Sequence, residues 1–239
     1  MRLSVEAETE DIKAVLDTAG PEACLRGHSS GSPSGKVPSM IRDDTIIREI
    51  NELWVPVYPF MVEHLIAVSG ISGGRILDLG PFAGGLALGL LGVSEAFVAT
   101  VIDESEAVLR WAREQAAESG HAPRLTTCQG PIDHIPAPDG AFDLVTVRGA
   151  FFFLMPGLLR EIRRVLAPGG FGWVGGGYGP ATPQAVIAPI AERSRALNEA
   201  VGKRRVTPEE AQAMVSQAGV EGVRVVTDGG LWLELRACV

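Results

Sequence analysis

Residues 75–85 read Arg-Ile-Leu-Asp-Leu-Gly-Pro-Phe-Ala-Gly-Gly. Arg75 to Leu79 has the apolar run of a strand buried on both faces. Gly80, Gly84 and Gly85 put small residues where the chain must turn tightly, and Leu86 to Leu91 continues as a helix. Strand, glycine turn and helix together leave the backbone N–H groups of the turn and of the first helical turn free to meet a ligand. The missing side chains let that ligand come close. Glycine also serves simply to reverse a chain, so the surrounding sequence decides whether this turn binds anything.

Working outward, the chain has 239 residues, 46% hydrophobic and 21% charged, enough for one α/β domain with a full core and modest decoration. Its net charge of −8 comes without a basic run. Such a surface is poorly suited to tracking a phosphate backbone, which argues against nucleic acid as a partner. Cys24, Cys128 and Cys238 are scattered and odd in number, which argues against a disulfide framework and against a paired-cysteine metal site. The N-terminus is acidic, has no signal-like apolar core, and no apolar run reaches the roughly 20 residues a bilayer demands. A soluble, cytoplasmic protein without a membrane partner is expected.

In chain order, residues 6–19 have helical spacing, and the Gly/Ser/Pro segment 27–39, which holds His28, reads as a flexible linker. Residues 1–40 are thus expected as a helix and linker, and 41–239 as the main domain. Within it, 41–70 form a helical cover, with Pro56 and Pro59 interrupting two helices. Tyr58 and Phe60 at that joint are either core aromatics or part of a substrate pocket. Strands are expected at 96–102, 124–128, 142–147 and 171–174, with helices at 105–119 and 155–166, the latter stopped by Pro168-Gly169-Gly170. A helix over 182–201, another from Thr207 to Gly219, and a hairpin around Asp228-Gly229-Gly230 close the chain. Alternating strands and helices imply a mainly parallel sheet that binds ligands at the carboxyl ends of its strands.

Asp103 ends the second strand, 23 residues after Gly80, where a carboxylate can accept from both hydroxyls of a ribose. It could instead cap the next helix, a role that Ser105 can also fill. A dinucleotide site wants a second glycine where this turn has Phe82, and Asp78 before the turn welcomes a cation rather than a phosphate.

The ordered segments ILDLGPFAGG, VIDES, QGPIDHIP, GAFDLVTVRGAFFFL and LLREIRRVLAPGGF resemble the class I S-adenosylmethionine-dependent methyltransferases, in the UbiE-like and arsenite-methyltransferase-like small-molecule branch. The resemblance runs from Arg75 to Val174 and extends through the closing hairpin. It implies a Rossmann-like, seven-stranded, mostly parallel α/β sheet with helices on both faces and a C-terminal antiparallel hairpin. It also implies S-adenosyl-L-methionine as cofactor. Asp78 would meet the methionine amino group, directly or through water, and Gly80, Phe82 and Gly84 would form the turn beneath it. Asp103 and Glu104 would serve the ribose, and Ile132 and Asp133 the adenine. Arg148 would lie near the methyl group.

Arg148, as an anchor for an acidic group, and His134 are the catalytic candidates, and no metal site is expected. The acceptor implied is a small molecule, and a homodimer remains open. Phe82 in place of a glycine and Pro131 in place of an acidic residue depart from the family pattern. They keep a non-catalytic, cofactor-binding relative as the alternative. Among Phe151, Phe152 and Phe153 one ring at least should face a substrate, while Trp173 and Trp232 belong to the core.

Overall fold

The computed structural model describes residues 43–238. The expected N-terminal helix, the linker and His28 lie outside the described residues. Seven strands form one sheet: β1 Gly74–Leu79, β2 Phe97–Asp103, β3 Leu125–Gln129, β4 Phe142–Arg148, β5 Leu166–Gly176, β6 Val223–Val226 and β7 Leu231–Arg236. Their spatial order is β3-β2-β1-β4-β5-β7-β6. The first five are parallel, and β7 runs antiparallel to both β5 and β6. The order turns back between β1 and β4, which opens a crevice at their carboxyl ends.

The apolar runs explain the sheet. Ile76, Leu77 and Leu79 of β1 and Leu144, Val145 and Val147 of β4 are fully buried, as a two-sided cover of helices requires. The helices are α1 Asp44–Leu53, α2 Tyr58–Ser69, α3 Gly85–Val93, α4 Glu106–Glu118, α5 Pro156–Val165, α6 Gln184–Ala200 and α7 Pro208–Ala218. Helix α1 starts at Asp43, whose carboxylate accepts from the N–H groups of Thr45 and Ile46. Helix α7 starts with a reciprocal capping box between Thr207 and Glu210. Trp173 and Trp232 stack face to face in the core, 3.8 Å between ring centroids.

Three local expectations change. Pro59 does not interrupt a helix; it sits in the first turn of α2, where a missing N–H costs nothing. The Pro168-Gly169-Gly170 segment does not end α5, which stops at Val165, but bulges within β5. Phe142 faces Leu166 and Leu144 already faces Phe171, so the glycines loop out of the ladder, Gly169 at φ 75°. The bulge is tied to the end of β7 by paired bonds, Gly169 N–H to Ala237 O and Ala237 N–H to Gly170 O. Finally, Cys128 is disulfide-bonded, where the scattered cysteines suggested no bridge.

Candidate active site

The turn after β1 is built on Asp78. Its side chain is fully buried, and Oδ2 accepts from the N–H groups of Gly84 (2.8 Å) and Ala87 (3.2 Å). Oδ1 accepts from the Thr146 hydroxyl of β4 at 2.7 Å. Burial raises its pKa, against the pull of these three donors and of the Arg148 charge. Expected from sequence as a partner for an amino group, the carboxylate fastens the first turn of α3 to β1 and β4.

Asp103 ends β2 beside this turn, almost entirely buried, with Oδ1 accepting from the Ser105 N–H at 2.7 Å. Burial pushes it up to about 7; the Ser105 N–H works against this, and the Glu104 charge adds to it. Ser105 caps α4 and donates its hydroxyl to Asp44 of α1 at 2.8 Å, which ties the N-terminal cover to the rim of the crevice. Glu104 itself is exposed.

Gly80 (φ 91°) and Gly84 (φ 104°) adopt conformations that only glycine takes easily. The space over them is used by the protein's own rings. A Cβ on Gly80 would lie 2.8 Å from the Phe153 ring, and one on Gly84 would lie 2.9 Å from Trp111. A Cβ on Gly149, just after β4, would lie 2.3 Å from the ring of Phe82. Phe82 is buried and packs against Phe152, 5.4 Å between centroids. The sequence leaves Gly80 and Gly84 open to a ligand; in the fold apolar rings stand over this bare backbone. Of the three consecutive phenylalanines, Phe151 is the one left half-buried.

Arg148 closes β4 at the switch point and is 3% exposed. Its guanidinium lies 4.7 Å from the Trp54 ring, 4.9 Å from Phe82 and 5.4 Å from Tyr58. Nη2 donates to Asn51 Oδ1 at 2.5 Å, Nε is buried without an acceptor, and the buried Tyr58 hydroxyl faces the guanidinium. Burial lowers the Arg148 pKa and pushes the Tyr58 phenol up to about 12. Tyr58 thus lines this box while packing in the core. Trp54 is fixed from outside, by a bond from its Nε1 to Ser194 Oγ (3.0 Å) and by stacking on Tyr178 at 4.7 Å. Asn51, Trp54 and Thr146 were missed in the sequence. The available signal was Asn51, one turn after Ile47 on the face of α1 that buries Ile47 and Ile50.

Beyond β3, Ile132 is buried, Asp133 is half-buried and His134 is exposed. His134 lies near Glu161 of α5, whose carboxylate it favours electrostatically, and among the described residues no hydrogen bond or ring contact joins it to Arg148. The structure therefore does not assemble the two catalytic candidates. Arg164 pins this loop through the carbonyls of Ile135 and Ala137 and the carboxylates of Asp139 and Glu161. Arg164→Ala should cost about 1.5–3 kcal/mol, the range for hydrogen bonds to a charged group. It should also speed limited proteolysis within 130–141; an unchanged cleavage rate would show that the loop is held by other means.

Residues 77–174 match the methyltransferase-domain family. This segment is matched as a methyltransferase domain, and the fold around it is that of class I S-adenosylmethionine-dependent methyltransferases. Its cofactor is S-adenosylmethionine. The chain is similar to the ubiquinone/menaquinone biosynthesis C-methyltransferase UbiE of Geobacter sulfurreducens, 37% identical over 41% of this chain and 40% of that one. It is also similar to the malonyl-[acyl-carrier protein] O-methyltransferase of the same organism, 29% identical over 67% of this chain and 61% of that one. It thus spans less than two thirds of the length of these relatives. A solved structure assigned as an S-adenosyl-L-methionine-dependent methyltransferase from Methanococcus maripaludis superposes with a TM-score of 0.70 at 25% identity, over 89% of this chain and 98% of that one. Asp103 offers a buried carboxylate at the edge of the crevice, a group of the kind that ribose hydroxyls donate to. No helix among the described residues is long and apolar enough to cross a membrane.

Proposed function

We propose that this protein transfers a methyl group from S-adenosylmethionine to a small-molecule acceptor in the cytoplasm, an EC 2.1.1 activity. The carrying observation is the buried Asp103 carboxylate at the end of β2, beside the glycine turn after β1, in a sheet whose strand order reverses between β1 and β4. Asp103 and the turn after β1 would hold the cofactor there, and it would supply an activated methyl group, carried on a sulfonium, to the acceptor's lone pair.

Such a displacement needs alignment and exclusion of water more than a general base, and proximity can contribute about 7–11 kcal/mol in favourable cases. Asp103, with Glu104 beside it, holds the ribose. Ile132 and Asp133 face the adenine, and the Asp78-fastened turn of Gly80, Phe82 and Gly84 supports the methionine end. Residues 43–70 work as a cover over the crevice within one unit extending to the C-terminus.

Titration calorimetry with S-adenosylmethionine and S-adenosylhomocysteine should give micromolar affinities, and NAD none. Formation of S-adenosylhomocysteine should then follow addition of a suitable acceptor. Absence of binding to the first two ligands would overturn the reading. A second reading, a cofactor-binding protein without turnover, is favoured by the Phe82 ring over Gly149. Retained affinity without transfer to a broad acceptor panel would decide for it.

A further inference from the structure

A cation sealed in a protein interior is costly unless it is paired. Arg148 is buried to 97%, yet none of the ion pairs formed among the described residues includes it. The nearest opposing charge is Asp78, and both of its oxygens are spent on Gly84, Ala87 and Thr146. Asn51 is a neutral partner, the Tyr58 hydroxyl faces the guanidinium, and the Nε–H is left without an acceptor. Around this unspent polarity stand three ring faces, Trp54, Tyr58 and Phe82. A planar anion matches the guanidinium edge, and an apolar body matches the rings.

We infer that the methyl acceptor is an apolar-bodied carboxylate whose anionic group is taken by Arg148 and Tyr58 within the Asn51–Trp54–Phe82 box. This rests on the methyl-transfer reading above and names its substrate class. The position in the chain favours acceptor over cofactor: Asn51, Trp54 and Tyr58 come from the N-terminal cover, ahead of the family-matched segment 77–174. The cover reaches the box by docking on two other helices, through Asp44 to Ser105 and through Arg193 of α6 to Glu49. An acceptor entering beneath it therefore meets the cation at the crevice and the rings above.

The test compares benzoate and hexanoate with benzamide and hexanamide by calorimetry, with and without saturating S-adenosylhomocysteine. Both acids should bind at least tenfold more tightly than their amides, and Arg148→Gln should erase that difference. Asn51→Asp supplies an internal carboxylate to the guanidinium. It should abolish acid binding without lowering the melting temperature, so a loss from misfolding is recognised. Equal binding of acids and amides, binding of neither, or acid binding that survives Arg148→Gln would overturn the inference. So would a selective weakening of decarboxylated S-adenosylmethionine in the wild type that Arg148→Gln removes, since it would assign Arg148 to the cofactor's own carboxylate. Failure of S-adenosylhomocysteine to bind would defeat the methyl-transfer reading, while the acid–amide comparison in its absence still decides this one.

Discussion

Asp103→Asn is expected to melt at a higher temperature than the wild type at pH 8 and to bind S-adenosylmethionine at least tenfold more weakly. Burial pushes this carboxyl up to about 7 from an ordinary 3.8. The fold therefore favours its protonated form. That contribution is fully present below about pH 4 and is lost as pH rises through about 7, with a ceiling of about 4 kcal/mol for a shift of this size. An amide never has to ionise in the buried site and keeps an oxygen for the Ser105 N–H, though as a weaker acceptor by about 1 kcal/mol. A net gain of about 1–3 kcal/mol corresponds to several degrees for a domain of this length. Thermal melts at pH 5 and pH 8 check it: the advantage should shrink at pH 5, and a difference independent of pH would refute the burial argument. Cofactor affinity moves the other way with pH. Ribose hydroxyls need the ionised acceptor, so wild-type affinity should fall below about pH 7, by up to tenfold per unit, and the asparagine variant should lose this dependence.

Asp78→Ala should be the most damaging single change at the site. It leaves the N–H groups of Gly84 and Ala87 and the Thr146 hydroxyl without their acceptor in a fully buried position. At about 1–3 kcal/mol for each unsatisfied buried group, the three together cost about 3–9 kcal/mol, a range centred above the 4–5 kcal/mol that marks exceptional mutations. The expected result in urea denaturation is loss of most of the stability, or no cooperative transition. Removing Asp78 also strips Arg148 of its nearest opposing charge. Pairing Asp78→Asn with Arg148→Met should therefore cost less than the sum of the two single changes, by 0.5 kcal/mol or more in a double-mutant cycle. Strict additivity would show that the two buried charges do not compensate one another.

The two variants separate what Asp78 and Asp103 do, although both read as acidic residues flanking the same glycine turn. Asp78 sits within the β1 ladder, opposite Val101 on one side and Thr146 on the other, so its neighbours are polypeptide donors. Asp103 is the last residue of its strand, opposite Gln129, and projects at the edge where the sheet gives way to the crevice. Strand position decides which carboxylate is left for a ligand.

Much of this was written in the sequence alone. Strands buried on both faces must be continuously apolar, so β1, β2 and β4 could be delimited to within a residue or two, and the glycine turn and Asp103 followed from their places at strand ends. The closing hairpin was legible because Asp228-Gly229-Gly230 allows the positive φ that such a turn requires at Gly229 and Gly230. What only the tertiary structure decided are contacts between residues far apart in the chain. Asn51 meets Arg148 across 97 residues, and Trp54 meets Ser194 across 140. Local pattern carries the period of a helix or a strand, but not which remote side chain fills the space over a glycine. Hence the glycines at 80 and 84 were readable as bare backbone, while the rings of Phe153 and Trp111 over them, and the buried Arg148 cation that Phe82 helps enclose, emerged only when the sheet brought β1, β4 and the N-terminal cover together.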